Sequence, residues 1–221
     1  MKAAAVSGQG SLLATPEVRR VDLGAGSWVD LAKGWIPDGS SIYQQVSGSA
    51  PWRTGRVFRY EKWVDEPRLG ARAGQVPGPA GELLASARRA LMRLYGVTLS
   101  SGGMAFYRDG RDAMAFHRDR DLRHLDETIV AILTLGGPRP FALRRFRDGY
   151  AGPESEGFVV EPGPGDLLVM GGRCQADWQH SVPRQYRLGV PGRISVQWRW
   201  TSGTGRPVVG ASYRAPRTYR D

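Results

Sequence analysis

The sequence predicts a mainly β fold with flanking helices, its core a jelly-roll or cupin-like double sheet. Three observations carry that expectation. From Gly103 onward, short apolar runs alternate with turn signals, and eight candidate strands fall within about a hundred residues, the density of a two-sheet β architecture. Only one segment, 82–95, has a clean helical period. The hydrophobic fraction, 41% of 221 residues, suffices for one sizeable core.

In chain order, residues 1–25 are small, polar and without pattern, and are expected to form a loose arm. Residues 28–65 carry Trp28, Trp35, Tyr43, Trp52, Phe58, Tyr60 and Trp63, most of which belong in a core. Prolines and glycines from Pro67 to Gly81 mark 66–81 as a loop. Leu83, Ala87, Ala90 and Leu94 then recur at spacings of four, three and four, and Gly96 stops a helix over 82–95. Strands are expected at 104–108, 113–118, 127–135, 139–146, 157–160, 166–170, 178–182 and 192–200. Asp109-Gly110, Gly136-Gly137-Pro138, Asp148-Gly149 and Pro162-Gly163-Pro164-Gly165 punctuate them. Arg206, Arg214, Arg217 and Arg220 make 203–221 a basic tail, expected to be flexible. One domain is expected over 26–202, with 26–100 preceding a jelly-roll core at 101–202.

The net charge is +10 and the pI about 10.3. Such an excess favours a polyanionic partner, because neutralising phosphates releases counterions, although a solvated surface explains the charge equally well. Nearly all of it is arginine; Lys2, Lys33 and Lys62 are the only lysines. Cys174 is the one cysteine, so an intrachain disulfide is excluded. With no apolar run of transmembrane length and no signal-like start, a cytoplasmic protein without membrane contact is expected. A monomer is also expected.

The chemistry concentrates in His117-Arg118-Asp119 and the distant His180, two of only three histidines. In an extended segment residues i and i+2 point the same way, so His117 and Asp119 can reach one ion. His180 must then arrive from a strand folded back beside them. Two imidazoles and one carboxylate are the ligand set of a non-haem Fe(II) oxygenase, which leaves coordination positions open for O₂ and a second ligand. Taken singly, each has an ordinary explanation as a surface or hydrogen-bonded group, and the surrounding sequence carries the case. His124, in the polar run Asp121-Leu122-Arg123-His124, reads as a loop residue. In the last strand Arg193, Ser195, Gln197 and Arg199 share a face. Two arginines on one face are costly to bury without an anion.

From Trp52 to Arg199, roughly two thirds of the chain, the sequence resembles the AlkB family of Fe(II)/2-oxoglutarate-dependent dioxygenases, bacterial type. The resemblance rests on Tyr107, His117-x-Asp119, Gly165-Asp166, His180 and the spaced set Arg193-x-Ser195-x-x-x-Arg199. It implies a double-stranded β-helix core and a dioxygenase domain over 26–202, with substrate recognition in 26–100. It implies Fe(II) held by His117, Asp119 and His180. It also implies 2-oxoglutarate held by Tyr107, Arg193, Ser195 and Arg199, with Arg193 on the distal carboxylate, and O₂ as co-substrate. Lys62–Leu69 resembles a lesion-recognition loop, and Trp63, Arg68, Asp121 and Arg144 match substrate-side positions. The implied reaction is oxidative demethylation of alkylated bases in DNA, or in RNA, as direct-reversal repair. The alternative is an oxygenase acting on a protein, tRNA or small molecule. Two departures favour that alternative. Ala105 stands where the family usually has an Asn on the cofactor, and Ala73 lies near where repair members place a stacking aromatic.

Overall fold

The computed structural model describes residues 17–59, 61–146, 157–203 and 218–220. It opens with a hairpin of β1 (Arg19–Gly24) and β2 (Ser27–Ala32), followed by α1 (Gly39–Ser49). A second hairpin joins β3 (Arg53–Arg59) to β4 (Lys62–Arg72), and a 3-10 turn at Ala73–Gln75 leads into α2 (Gly78–Tyr95). The remaining strands are β5 (Gly103–Tyr107), β6 (Met114–His117), β7 (Thr128–Gly136), β8 (Phe141–Arg145), β9 (Gly157–Val160), β10 (Leu167–Gly172), β11 (Trp178–Val182), β12 (Arg193–Thr201) and β13 (Thr218–Arg220). A single turn, α3 (Cys174–Asp177), separates β10 from β11.

Two antiparallel sheets result, as the double-sheet expectation requires. Among the described residues the larger runs β1-β2-β10-β7-β12-β5-β4-β3-β13 and the smaller β6-β11-β8-β9. Strand β7, TIVAILTLG, is buried along its whole length, because one face meets the helices and the other meets the small sheet. Leu133, Val169, Ile194, Val196 and Trp198 pack outward against Leu84, Ala87 and Leu91 of α2 and Val46 of α1. Val130, Ile132, Leu168, Phe141, Leu143 and Trp178 fill the space between the sheets. Alternation along β12 thus puts Ile194, Val196 and Trp198 under the helices. Ser195 and Gln197 point to the opposite face, the interior of the double sheet.

Every strand expected after Gly103 is present, with ends shifted by up to two residues. Three expectations before it are corrected. Residues 66–81 do not form a loop: Pro67–Arg72 belong to β4, and α2 begins at Gly78 rather than at 82. The proline is accommodated because pairing of β3 with β4 slips between Thr54 and Arg56, opposite Pro67, and an irregular ladder tolerates a missing N–H. The arm over 1–25 is not loose throughout, since Arg19–Gly24 pair with β2. Asp30 anchors that hairpin, accepting two 2.7 Å bonds from Arg20 and one of 3.0 Å from Tyr95. In the basic tail Thr218–Arg220 pair with β3, whereas Arg206, Arg214 and Arg217 lie outside the described residues.

Gly165-Asp166 has a structural role. Asp166 is buried and accepts backbone bonds from Gly34 and Gly163 at 2.8 Å and a 2.6 Å bond from Lys33. Gly165 has φ +85°, and a Cβ there would lie 2.1 Å from the Ile36 carbonyl oxygen. Only glycine closes this turn, which sets the register of β10.

Candidate active site

His117 ends β6 and His180 sits mid-β11, and the two are direct cross-strand partners. Their rings lie 4.2 Å apart, centroid to centroid. Beyond β6 the chain stays extended long enough for Asp119 to turn back beside them. Its backbone N–H donates to Gln175 Oε1 at 2.9 Å, so the fully buried Gln175 fixes the turn. Asp119 Oδ1 is 3.5 Å from His117 Nε2 and 3.8 Å from His180 Nε2. One ligand atom from each of the three residues lies within 4.8 Å of the other two. His117 Nδ1 is 3.0 Å from the Ala115 carbonyl. Donating there leaves Nε2 with its lone pair aimed at the other two groups.

The electrostatics suit a cation. Burial, reinforced by the nearby His117, pushes the His180 imidazole down to about 3, so it is neutral at physiological pH. Burial pushes the Asp119 carboxyl up, but His117, Arg199 and His180 together outweigh it and hold it well below the usual carboxylate range. Arg199 donates to Asp119 Oδ2 at 2.7 Å, while Oδ1 faces the imidazoles. The cluster is thus one ionised carboxylate with a neutral His180 beside it. This is a donor set that an Fe(II) ion fits.

That arrangement carries a stability prediction. The folded His180 pKa lies below its unfolded value near 6.5, so its contribution is fully present above that pH and is lost as pH falls toward 3. Between pH 7 and pH 5 the metal-free protein should lose roughly 1–2 kcal/mol, several degrees of thermal midpoint. Calorimetry at both pH values on wild type and His180→Gln checks this; equal slopes would contradict it.

A cavity of about 550 Å³ opens beside the cluster. Tyr107, Ser195, Gln197, Arg199, Ala105, Ser181, Val130, Ile132 and Phe141 form its inner wall, and Glu66, Arg68, Leu69, Ala71, Arg120 and Asp121 also line it. Arg193 is opposite Tyr107 in register and lies beyond that lining, fully buried. Its guanidinium donates to Thr134 Oγ1 at 3.2 Å and the Arg139 carbonyl at 3.1 Å, and Nε has no partner among the described residues. Burial pushes this guanidinium down to about 10. A buried cation held by two neutral oxygens is costly, and Ser181 Oγ on the cavity wall is also unpartnered. These orphaned groups fit a bound carboxylate.

Of the positions singled out in the sequence, His117, Asp119, His180, Tyr107, Ser195, Arg199, Arg68 and Asp121 meet at this cavity. Arg68 lines the cavity and donates to the Tyr107 hydroxyl at 3.4 Å and to Glu66 at 3.5 Å. Two positions stand away from it. Trp63 packs edge-on against Phe58 on the β3–β4 hairpin. Arg144 lies over the Phe116 ring at 4.0 Å and donates to Gln179 Oε1 at 2.8 Å. Ala105 lines the cavity, whereas Ala73 is buried under α2 and is no vacancy for a stacking ring.

Two residues escaped the sequence. Gln175 carries no motif. Arg139, at the start of the strand expected over 139–146 and flanked by prolines, is fully buried and donates to the carbonyls of Asp109, Asp112 and Pro183. It ties together the three loops around Arg193.

Comparison with known proteins agrees with this geometry. The model of the 2OG-Fe(II) oxygenase superfamily matches residues 41–205. "Alpha-ketoglutarate-dependent dioxygenase alkB homolog 3" is 27% identical in Bos taurus and 26% in Homo sapiens, each over 74% of this chain and 62% of the relative. "DNA oxidative demethylase ALKBH2" of Homo sapiens is 24% identical over 73% of this chain and 68% of the relative. The chain thus spans about 62% of the length of the former. Two solved structures share the fold. A prolyl hydroxylase from Trichoplax adhaerens, in complex with a hypoxia inducible factor peptide, has a TM-score of 0.52 and 16% identity, covering 78% of this chain and 83% of that one. The epimerase SnoN from nogalamycin biosynthesis has a TM-score of 0.53 and 15% identity, covering 81% of each.

Proposed function

We propose, from the premise that the chain belongs to the 2OG-Fe(II) oxygenase superfamily and is an AlkB-type member of it, that it is an oxidative demethylase of alkylated bases in nucleic acid, DNA above RNA. The observation that carries the proposal is the cluster of His117, Asp119 and His180 on a cavity backed by the buried Arg193 guanidinium, whose Nε has no partner among the described residues. The enzyme uses Fe(II), 2-oxoglutarate and O₂.

When bound, Fe(II) with 2-oxoglutarate and O₂ supplies the oxidant for a C–H bond of an N-alkyl group. The chain's own residues do the rest. His117, Asp119 and His180 would hold the metal, and Arg199, bonded to Asp119 Oδ2, would leave Oδ1 free to face it. Arg193, with Tyr107 and Ser195, would pair with the distal carboxylate of 2-oxoglutarate, a role that suits a guanidinium. Val130, Ile132 and Phe141 exclude water from the inner cavity. Glu66, Arg68 and Asp121 bring charged groups to the substrate side, where donors and acceptors on a base edge can be read. Hydroxylation at the N-alkyl carbon followed by C–N cleavage releases an aldehyde and restores the base, with succinate and CO₂ as co-products. Trp63 and Arg144, away from the cavity, fit contacts to the strand outside it.

One observation favours the second reading, an oxygenase on a protein, tRNA or small molecule. Among the described residues the aromatic rings lining the cavity, besides the histidines, are Tyr107 and Phe141, both on its inner wall. Among the described residues no ring at the mouth offers a base a stacking surface. Turnover of an N-methylated oligonucleotide, with release of formaldehyde, tests the first reading directly.

Among the described residues no helix is long and apolar enough to cross a membrane. The proposal includes a monomer in the cytoplasm. The charge of +10 predicts that binding to a single-stranded oligonucleotide weakens steeply with salt. Replacing Arg206, Arg214 and Arg217 by glutamine should flatten the slope of log K against log salt by up to about 2, at ~0.7 per phosphate contact. Turnover of a short substrate should persist, because every proposed ligand lies before residue 200. Equal slopes would make the tail a solubility element only.

A further inference from the structure

A second groove, about 460 Å³, lies across the wall from the candidate active site. Glu66, Met114 and Ser181 line both. Val57 and Val64 of the β3–β4 hairpin form one side, and Ala115 and Phe116 of β6, the edge strand of the small sheet, form the other. Pro183, Arg184 and Tyr186 close its end. Tyr186 is 88% exposed, a large ring held in water with no packing role.

The charges around the groove are one-sided. Its acids are already neutralised: Asp65 pairs with Arg56 at 3.0 Å, and Glu66 with Arg68 at 3.5 Å. Arg184 donates only through Nε, to the Arg111 carbonyl at 3.1 Å, and has no carboxylate partner among the described residues. Arg144 lies over the Phe116 ring. Apolar walls, an exposed ring and one guanidinium without a carboxylate partner at the end are what single-stranded nucleic acid requires, bases on rings and phosphates on cations. The volume falls in the ~300–1,000 Å³ range of small-molecule sites, the scale of one nucleotide rather than a duplex.

We propose that this groove is a second subsite, which holds the nucleotide next to the target in a single strand, with its base on Tyr186 and its phosphate at Arg184. The assignment rests on the nucleic-acid reading of the active site. A strand whose target base enters the cavity must continue past its mouth, and the shared lining of Glu66, Met114 and Ser181 makes the groove the cavity's immediate neighbour.

The test uses the full chain with Fe(II) and 2-oxoglutarate and three methylated single-stranded pentanucleotides: one intact, one abasic 5′ to the lesion and one abasic 3′. For wild type, one of the two abasic substrates should raise KM about tenfold, with kcat unchanged, the loss of one base–aromatic stack. Tyr186→Ala should raise KM about tenfold on the intact substrate and add nothing on that abasic one. Leu188→Ala, on the same exposed loop but outside the groove, should behave as wild type. Two results would overturn the subsite: wild-type KM indifferent to both abasic positions, or Tyr186→Ala acting equally on all three substrates. Should wild type turn over none of the pentanucleotides, the nucleic-acid reading itself fails, and the subsite with it.

Discussion

Exchanging Asp119 for alanine should abolish turnover while leaving the fold intact. The carboxylate is the one anionic ligand of the cluster, with Oδ1 facing both imidazoles and Oδ2 fixed by Arg199. Its loss should exceed the ~10–100-fold that removal of a group merely orienting a ligand costs. The cores on both sides of the large sheet are aliphatic and aromatic and do not depend on a metal. The circular dichroism spectrum should therefore match wild type, while iron retained after desalting and succinate formed both fall to background. A variant that couples 2-oxoglutarate loss to product at the wild-type rate would remove Asp119 from the site.

The second large effect is expected from Arg193→Leu. A charge-assisted bond to the distal carboxylate is worth ~1.5–3 kcal/mol, so the 2-oxoglutarate requirement should rise about 10–100-fold. Stability should respond in the other direction. Without cofactor, the wild-type guanidinium is fully buried with an unpartnered Nε, and an apolar side chain there is neutral or stabilising. Thermal unfolding should therefore show a metal- and cofactor-free variant at least as stable as wild type, but without the upward shift that 2-oxoglutarate gives wild type. Normal 2-oxoglutarate binding by the variant would place the distal carboxylate elsewhere.

The second half of the chain was legible because its strands are short, alternate cleanly and are separated by Gly, Pro and Asp. The triad followed from that pattern: once 114–117 and 178–182 are strands, His117 and His180 need only pair, and they do. The first hundred residues were harder for physical reasons. β1 is an exposed edge strand with no buried residue, so it carries no apolar alternation. α1 buries only Gly39 and Val46, and Asp38 at its start is left-handed with no side-chain cap. Its Gly- and Ser-rich sequence thus lacks a helical signature. β4 contains Pro67 and Gly70, which argue against a strand until the slipped register with β3 is seen. Arg139 was invisible because burial of a guanidinium among backbone carbonyls is a tertiary event. The positions of Trp63 and Arg144 depended on which face of a hairpin and of a sheet lay toward the cavity.

The central claim, an N-alkyl carbon oxidised beside His117, Asp119 and His180, is tested most directly by single-turnover mass spectrometry. The enzyme is loaded with Fe(II) and 2-oxoglutarate and given a short single-stranded oligonucleotide carrying one N-methylated base. Loss of the methyl group is expected, with one formaldehyde and one succinate per base restored, and none of the three with Asp119→Ala. Succinate formed at the same rate with and without the oligonucleotide, its base still methylated, would contradict it.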